Sequence, residues 1–150
     1  MEKINFKFKK IRDVKTPTRG TEFSAGLDFY IPNDVDKVVV QPGKDVFIAS
    51  GIKIDMMCQP VALIVFNKSS IAVKYNLTVG ACVVDSDYQG EIFIHLFNNG
   101  DKIVTLTPGQ KITQLIAVPI YYPEMIETDD LFLTETTRKN GCLGSTNSND

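Results

Sequence analysis

Short blocks of apolar residues, alternating or continuous, recur along this 150-residue chain. Ile4, Phe6 and Phe8 alternate with polar residues, which predicts a half-buried strand. A continuous apolar run over residues 61–66 is typical of a strand buried on both faces. Further strands are predicted over residues 38–40, 46–49, 51–55 and 111–120. Because glycine and proline turn signals separate these blocks at short intervals, the pattern predicts an all-β sandwich or barrel.

Helical periodicity is confined to one short segment. Ser69 or Ser70 is expected to cap a helix that covers residues 71–75. The last stretch, residues 134–150, is polar and rich in Thr, Asn, Ser and Gly. Such a stretch buries little apolar surface, so we expect it to be mobile on its own. It is either a frayed end or a flap that orders over a ligand.

Residues 83–91 form a polar turn between two strand-like runs, residues 76–84 and 92–97. This pattern predicts a hairpin whose tip holds the carboxylate of Asp85 beside the ring of Tyr88. A carboxylate on a rigid frame, next to an aromatic face, can serve as a general base beside a ring-shaped ligand. Asp, Ser and Gly are also ordinary turn residues, so a solvated loop explains the same segment.

Composition narrows the function classes. Hydrophobic content of 43%, charged content of 23% and a net charge of −2 indicate one soluble domain without a basic surface for nucleic acid. No apolar run reaches membrane-spanning length, and the N-terminal residues lack a signal-peptide core. Three widely spaced cysteines suggest neither a disulfide framework nor a zinc site. We therefore expect a cytoplasmic protein without a nucleic-acid or membrane partner.

Several polar segments are candidates for binding an anion. Lys68, Ser69 and Ser70 follow the buried apolar run and precede the helix, where hydroxyl and N–H groups can hold a phosphate or simply cap the helix. Residues 140–146 contain glycines and hydroxyls that could wrap a phosphate chain. The single histidine, His95, lies in an alternating strand and is expected to be a wall or core residue. Ser69 therefore has no obvious activating base.

In this order, five segments resemble the motifs of the trimeric dUTPase family: residues 25–28, 67–70, 80–91, 108–116 and 138–146. The third is the most specific of the five. The resemblance implies a jelly-roll-like β-barrel over residues 1–133 and a flexible flap over residues 134–150. It also implies a homotrimer whose active sites are shared between subunits.

The reaction implied by this resemblance is hydrolysis of dUTP to dUMP and pyrophosphate with Mg²⁺ on the triphosphate. It limits uracil in DNA and supplies dUMP for thymidylate synthesis. Asp85 would be the catalytic residue that deprotonates water for attack on the α-phosphorus. Tyr88 would pack on the deoxyribose and exclude a 2′-hydroxyl. Main-chain groups of Cys82, Val83 and Val84 would recognise the uracil edge.

Other site residues implied by the resemblance contact phosphate or cover the base. Ser69 would stabilise charge on the leaving pyrophosphate. Leu143 would cover uracil, and Asp28 would either support the water shell of Mg²⁺ or orient a neighbouring side chain. The remaining residues implied to bind phosphate are Lys68, Ser70, Gln114, Arg138, Gly144, Ser145 and Thr146.

The positions where this sequence departs from the dUTPase motifs are expected to affect substrate affinity and flap closure more than the hydrolysis reaction itself. Lys68 stands where arginine is usual, which replaces a two-pronged contact by a point charge. Cys82 stands where glycine is common and is expected to narrow the uracil slot. Leu143 replaces a phenylalanine and offers no ring face, and Lys139 and Asn140 also alter the fifth segment.

Two alternatives to the hydrolase stay open from the sequence. A dCTP deaminase on the same fold would carry an arginine where this chain has Val73 and a glutamate where it has His95. A non-catalytic regulatory protein on the dUTPase frame would account for the altered fifth segment. Retention of Asp85, Tyr88, Ser69 and Arg138 favours the hydrolase.

Overall fold

Eleven strands and one short helix make up the regular structure of residues 4–129, the part of the chain described by this computed structural model. The prediction of an all-β chain with one helix is confirmed for that part. The elements are β1 Lys7–Lys10, β2 Leu27–Tyr30, β3 Val38–Val40, β4 Asp45–Ala49, β5 Ile52–Asp55, β6 Val61–Asn67, α1 Ser69–Tyr75, β7 Leu77–Val79, β8 Val83–Val84, β9 Phe93–Asn98, β10 Val104–Leu106 and β11 Lys111–Pro119.

The strands pair into four antiparallel groups. A four-stranded sheet has the order β2-β11-β6-β8, and a three-stranded sheet has the order β4-β9-β7. The pairs β1-β5 and β3-β10 form two ribbons. Strands β6 and β11 share the longest register, from Asn67 opposite Thr113 to Val61 opposite Pro119. The apolar run predicted for residues 61–66 is therefore a central strand, as expected.

The hydrophobic core draws on nearly every strand. Its largest fully buried side chains are Phe29, Ile31, Ile52, Met56, Leu63, Leu77, Ile92, Ile94, Leu96, Leu106, Ile112 and Leu115. Alternation in β9 buries Ile94, Leu96 and Asn98 while Phe93 and Phe97 stay exposed. A two-residue repeat of this kind gives each sheet one inner face, so the core lies between the sheets.

Strand β1 differs from its prediction. It begins at Lys7, and all four of its residues are exposed. Of the three apolar residues that predicted a half-buried strand, Phe6 is partly buried against the core, whereas Ile4 and Phe8 are exposed, so the prediction is wrong for these two. The reason is its position, since β1 pairs only with β5 in a two-stranded ribbon.

The predicted hairpin around residues 83–91 is only half correct. Strand β7 pairs with β9, with Leu77 opposite Asn98, as a hairpin requires. Strand β8, however, pairs with β6, with Leu63 opposite Val84. The chain therefore leaves one sheet for the other at Gly80–Ala81, and the polar turn connects two sheets instead of closing one hairpin.

A β-bulge in β11 sets the direction of two functional side chains. The register against β2 shifts between Lys111 and Thr113, so one extra residue lies on β11. Ile112 and Thr113 are consequently both buried. Because a bulge interrupts the two-residue alternation, Lys111 and Gln114 lie on the same face. The side chains of Lys111 and Gln114 therefore both extend toward the part of β2 that contains Asp28.

Helix α1 begins at Ser69, and the residue before it, Lys68, has extended backbone angles. No side chain makes a capping hydrogen bond, so the prediction that Ser69 or Ser70 caps the helix is wrong. The helix ends at Asn76 in the left-handed conformation, which asparagine tolerates well. Within residues 4–129, no helix has the length and apolar character needed to cross a membrane.

Candidate active site

A cavity of about 180 Å³ lies beside the turn that follows β8. Residues 81–85, Tyr88 and residues 91–93 line it together with Val65 of β6. Five residues that the sequence predicted for one site therefore share one cavity: Cys82, Val83, Val84, Asp85 and Tyr88. Its volume is below that of pockets that hold drug-sized ligands, so it can accept only part of a nucleotide.

A larger cavity of about 300 Å³ lies on the β1-β5 ribbon beside Gln89. It contains none of the predicted site residues. We therefore assign the candidate site to the smaller cavity, where a carboxylate and an aromatic ring meet.

Two internal hydrogen bonds stiffen the turn that carries Tyr88. The backbone amide of Tyr88 donates to the carbonyl oxygen of Asp85 at 3.1 Å, and the phenol hydroxyl of Tyr88 donates to the carbonyl oxygen of Glu91 at 2.9 Å. A side chain at Gly90 would overlap the phenol, so glycine is required there. The ring is still 43% exposed and lines the cavity, which leaves it available to a ligand.

Glu91 anchors the far end of the same turn. Its Oε1 accepts the amide of Gly51 at 2.8 Å and lies 3.6 Å from Nε of Arg12. This role was missed in the sequence, where Glu91 was only the last residue of a motif. The anchor ties the turn to the β4-β5 connection.

Asp85 is the one lining residue with a free carboxylate. It is exposed, and within residues 4–129 its side chain makes no hydrogen bond or ion pair. An unpaired carboxylate on a braced turn can accept a proton from a water molecule in the cavity.

Main-chain groups of β8 form part of the cavity wall. Strand β8 is the last strand of its sheet, and it pairs on one side only, with β6. The amide of Val65 donates to the carbonyl oxygen of Cys82 at 2.7 Å, which fixes the start of this edge. An edge strand presents N–H and C=O groups that a flat ligand with donors and acceptors can match.

A second polar cluster gathers around Asp28. Nζ of Lys68 lies 2.9 Å from Oδ1 of Asp28, and Nζ of Lys111 lies 2.7 Å from Oδ2. Burial raises the pKa of the Asp28 carboxyl, but the hydrogen bonds and charges of Lys111 and Lys68 outweigh it and hold that pKa below its ordinary value. The Asp28 hydrogen bond raises the pKa of Lys111. With two ammonium groups and one carboxylate, the cluster carries a net positive charge that suits an anion.

Gln114 packs into the same region. Its Nε2 donates to the carbonyl oxygen of Asn67 at 3.0 Å, and a Cβ at Gly26 would collide with it. Oδ1 of Asn67 in turn accepts the amide of Val79 at 2.7 Å. The first, second and fourth motif-like segments are thus joined by direct contacts.

The profile of the dUTPase family matches residues 12–147, which is most of the chain. This chain belongs to the dUTPase family. Two curated relatives agree with that assignment. The deoxyuridine 5′-triphosphate nucleotidohydrolase of Desulfitobacterium hafniense is 34% identical over 140 residues, covering 92% of this chain and 91% of the relative. The Arabidopsis thaliana protein of the same name is 38% identical over 142 residues, covering 94% and 82%.

Solved dUTPase structures share the fold at low identity. A variant of the Staphylococcus bacteriophage 80alpha dUTPase, solved with dUpNHpp, aligns with a TM-score of 0.84 at 18% identity, covering 95% of this chain and 98% of that one. A dUTPase variant from phage phi11 of S. aureus that coordinates a structural Mg(II) ion aligns with a TM-score of 0.76 at 18% identity, covering 85% and 98%. The predicted dUTPase-like β fold is confirmed.

Within one copy of this chain, the cavity of Asp85 and Tyr88 and the polar cluster around Asp28 are separate. The cavity of Asp85 and Tyr88 is lined by neither Lys68 nor Gln114, and Ser69 does not reach it either. The link between the clusters is β6, since Val65 lines the cavity, Asn67 ends the strand and Lys68 follows it. Base and phosphate would therefore be held at two places.

Ser69 and Ser70 are exposed in the first turn of α1. Sequence reasoning missed Lys111, although it begins the strand part of the fourth motif-like segment. Its role depends on the bulge in β11, which residue type does not reveal. Five predicted site residues lie outside the described residues: Arg138, Leu143, Gly144, Ser145 and Thr146.

Within residues 4–129, no group of three His, Cys, Asp or Glu side chains is arranged to hold a metal ion. Both oxygens of Asp28 already accept ammonium groups. This geometry favours the second role considered for Asp28, orienting a neighbouring side chain.

Proposed function

We propose that this protein hydrolyses dUTP to dUMP and pyrophosphate, by attack of water at the α-phosphorus. This activity would limit uracil in DNA and supply dUMP for thymidylate synthesis. The observation that carries the proposal is the free carboxylate of Asp85 beside Tyr88 in one cavity of about 180 Å³. Membership of the dUTPase family supports the same reaction.

Asp85 is proposed to orient and deprotonate the attacking water. Phosphoryl transfer needs an aligned nucleophile and neutralised phosphate charge, with little covalent work by the protein. Its lack of a protein partner within the described residues leaves both oxygens available to water.

Tyr88 and β8 are proposed to select the nucleoside. The hydroxyl of Tyr88 donates to the carbonyl oxygen of Glu91, and the phenol lies directly against Gly90, so the ring is held where a deoxyribose can lie on its exposed face. A 2′-hydroxyl would then clash with the ring, which rejects ribonucleotides. The free edge of Cys82, Val83 and Val84 would match the donors and acceptors of uracil.

Phosphate binding is assigned to the Asp28 cluster and the start of α1. Lys68 supplies charge from a position fixed by Asp28, and Gln114 lies on the same face as Lys111. Ser69 and Ser70 expose hydroxyls beside Lys68, where Ser69 can stabilise charge on the leaving pyrophosphate. Arg138, Gly144, Ser145 and Thr146 are proposed to clamp the β- and γ-phosphates, with Leu143 over the base, when residues 134–150 close as a flap on the barrel of residues 1–133.

A homotrimer with shared active sites is proposed because one subunit keeps its two clusters apart. Phe47, Phe93 and Phe97 expose aromatic surface on neighbouring strands β4 and β9. After β11, residues 121–126 also expose large apolar side chains. Contiguous exposed apolar surface of this kind marks protein–protein contact, which a second copy of the chain would satisfy.

Mg²⁺ is the proposed cofactor, carried mainly by phosphate oxygens and water, with Asp28 touching its shell through water at most. Such binding needs no cage of protein ligands, in keeping with the donor groups of residues 4–129. When bound, the ion would neutralise charge on the triphosphate. The phi11 relative with its structural Mg(II) ion supports use of this metal within the family.

Pyrophosphate release from dUTP, dCTP, dTTP and UTP at equal concentration tests the proposal. We expect strong preference for dUTP, and equal turnover of all four would contradict the nucleoside selection. Ammonia release from dCTP would instead indicate the deaminase alternative. That alternative is not favoured, because the curated relatives at 34% and 38% identity are named as dUTP hydrolases.

A further inference from the structure

His95, the only histidine in the sequence, bridges two parts of the three-stranded sheet and the loop that leaves it. Its Nδ1 accepts the amide of Ala81 at 3.0 Å, and its Nε2 lies 3.0 Å from Oδ2 of Asp45 on β4. The imidazole stacks on Phe47, with ring centroids 4.1 Å apart and planes 7° from parallel. Both nitrogens of this ring therefore have a defined partner.

The two partners select one protonation state of the imidazole. A backbone amide can only donate, so Nδ1 must present its lone pair to Ala81. The proton of the neutral ring then lies on Nε2, which donates it to the Asp45 carboxylate. Neither the opposite tautomer nor the doubly protonated ring can keep the bond to Ala81.

Gly80 brings the backbone directly onto this ring. Its amide donates to the carbonyl oxygen of His95 at 3.0 Å, and a Cβ at Gly80 would overlap Nδ1. The contact lies where the chain crosses from β7 to β8. The next residues, Ala81 and Cys82, line the nucleotide cavity.

We propose that His95 is a positioning residue whose neutral Nε2–H tautomer fixes the part of the nucleotide cavity wall that Ala81 and Cys82 form. This inference rests on the proposed function, since it deepens the account of base recognition. The imidazole does not line the cavity. It acts through the amide of Ala81, which places the backbone that follows it.

Uptake of a proton by the ring would loosen this wall. The groups that face the imidazole are the Asp45 carboxylate from β4, the Ala81 amide from the loop, and the apolar rings of Phe47 and Phe97. Asp45 would keep its contact with Nε2. At Nδ1, however, a new N–H would oppose the N–H of Ala81, and two donors cannot share a hydrogen bond.

A spectroscopic test uses the full chain labelled with ¹⁵N at histidine and at the backbone. Because the sequence has one histidine, the imidazole signals need no assignment. We expect an acceptor-type Nδ1 and a protonated Nε2 at neutral pH. A scalar coupling across the hydrogen bond should join the Ala81 amide to Nδ1. A protonated Nδ1 at neutral pH, or an Ala81 amide without this coupling, would overturn the proposal.

Two matched variants separate positioning from packing. H95N keeps an acceptor near the place of Nδ1, whereas H95Q keeps a donor near the place of Nε2, and both remove the ring. We expect H95Q to raise the KM for dUTP about fivefold over H95N, with similar kcat, as loss of one neutral hydrogen bond predicts. Equal KM values in the two variants would show that only ring packing matters.

Failure of this inference differs from failure of the proposed function. If the unmodified protein hydrolyses dUTP and the two variants have the same KM, only the role of His95 is wrong. If the unmodified protein releases no pyrophosphate from dUTP, the proposed function is wrong and this role falls with it.

Discussion

Nζ of Lys68 lies 2.9 Å from Oδ1 of Asp28, a carboxylate whose side chain is only 5% exposed. The ion pair joins the first motif-like segment to the second across β2, β11 and β6. The buried carboxylate of Asp28 thereby fixes the position of the half-buried Lys68 side chain, close to where phosphate is proposed to bind.

Replacing Asp28 by asparagine should weaken dUTP binding more than it slows the chemical step. The amide keeps one acceptor but loses the charge that holds Lys68 and Lys111. We expect KM to rise about tenfold with a small change in kcat, because a positioning contact is lost in both ground and transition states. Steady-state kinetics of D28N and of D55N, an exposed aspartate outside the site, provide the measurement and its control. A larger fall in kcat than rise in KM would contradict this account.

Acid should destabilise the protein partly through Asp28. Its pKa is lowered in the folded chain, so its contribution to stability is present above the ordinary pKa of aspartate and is lost as the pH falls through the lowered, folded value. The free energy of unfolding, measured with urea, should therefore differ less between pH 7 and pH 3 in D28N than in the unmodified protein. Identical pH effects in the two proteins would show that the Asp28 cluster does not contribute.

Gly90 should be needed for selection against ribonucleotides. A methyl group there would overlap the Tyr88 phenol and push the ring away from its bond to Glu91. We expect G90A to raise KM for dUTP and to narrow the dUTP-to-UTP ratio of kcat/KM by about tenfold. The matched control is G20A, since a Cβ at Gly20 meets only Ser24 Oγ at 3.4 Å. If the dUTP-to-UTP ratio is unchanged in G90A, the position of the Tyr88 ring does not determine the selection against ribonucleotides.

Cys82 should narrow the slot for the base. Cys82 lines the cavity, so C82G removes its side chain and enlarges the space around the uracil edge. We expect turnover of dTTP relative to dUTP to rise about tenfold, because the added methyl of thymine is accommodated. C58S, at an exposed cysteine remote from the cavity, serves as the comparison. If C82G excludes dTTP as strongly as the unmodified protein does, the side chain of Cys82 does not determine the selectivity against thymine.

Strand positions were predictable from sequence wherever both faces of a strand are buried. The continuous run of β6 is the example, because uninterrupted apolar residues have one stable place in a sheet. The long β11 was also predicted, although polar and partly exposed residues interrupt its apolar run. Strand β1 was mispredicted, since alternation alone does not tell an edge ribbon from a half-buried strand. The partner of β8 was mispredicted as well, because a crossover at Gly80–Ala81 depends on packing against His95.

Site residues were predictable when one segment carried them. Asp85, Tyr88 and the β8 backbone lie within one turn, so the specific third segment placed them together. Lys111 and Glu91 were missed because their roles depend on partners far along the chain. The Lys111 contact also needs the β11 bulge, and the Glu91 contact needs the β4-β5 connection, neither of which a residue pattern reveals.

The most direct test of the account is the rate of pyrophosphate release from dUTP by D85N, compared with D87N in the same turn. Asp87 is exposed and does not line the cavity, so its variant controls for loss of charge in the turn. We expect D85N to lower kcat by about 10²- to 10⁴-fold, as removal of a general base does, while D87N stays close to the unmodified enzyme. A D85N protein that keeps its kcat would contradict the assignment of Asp85 as the base.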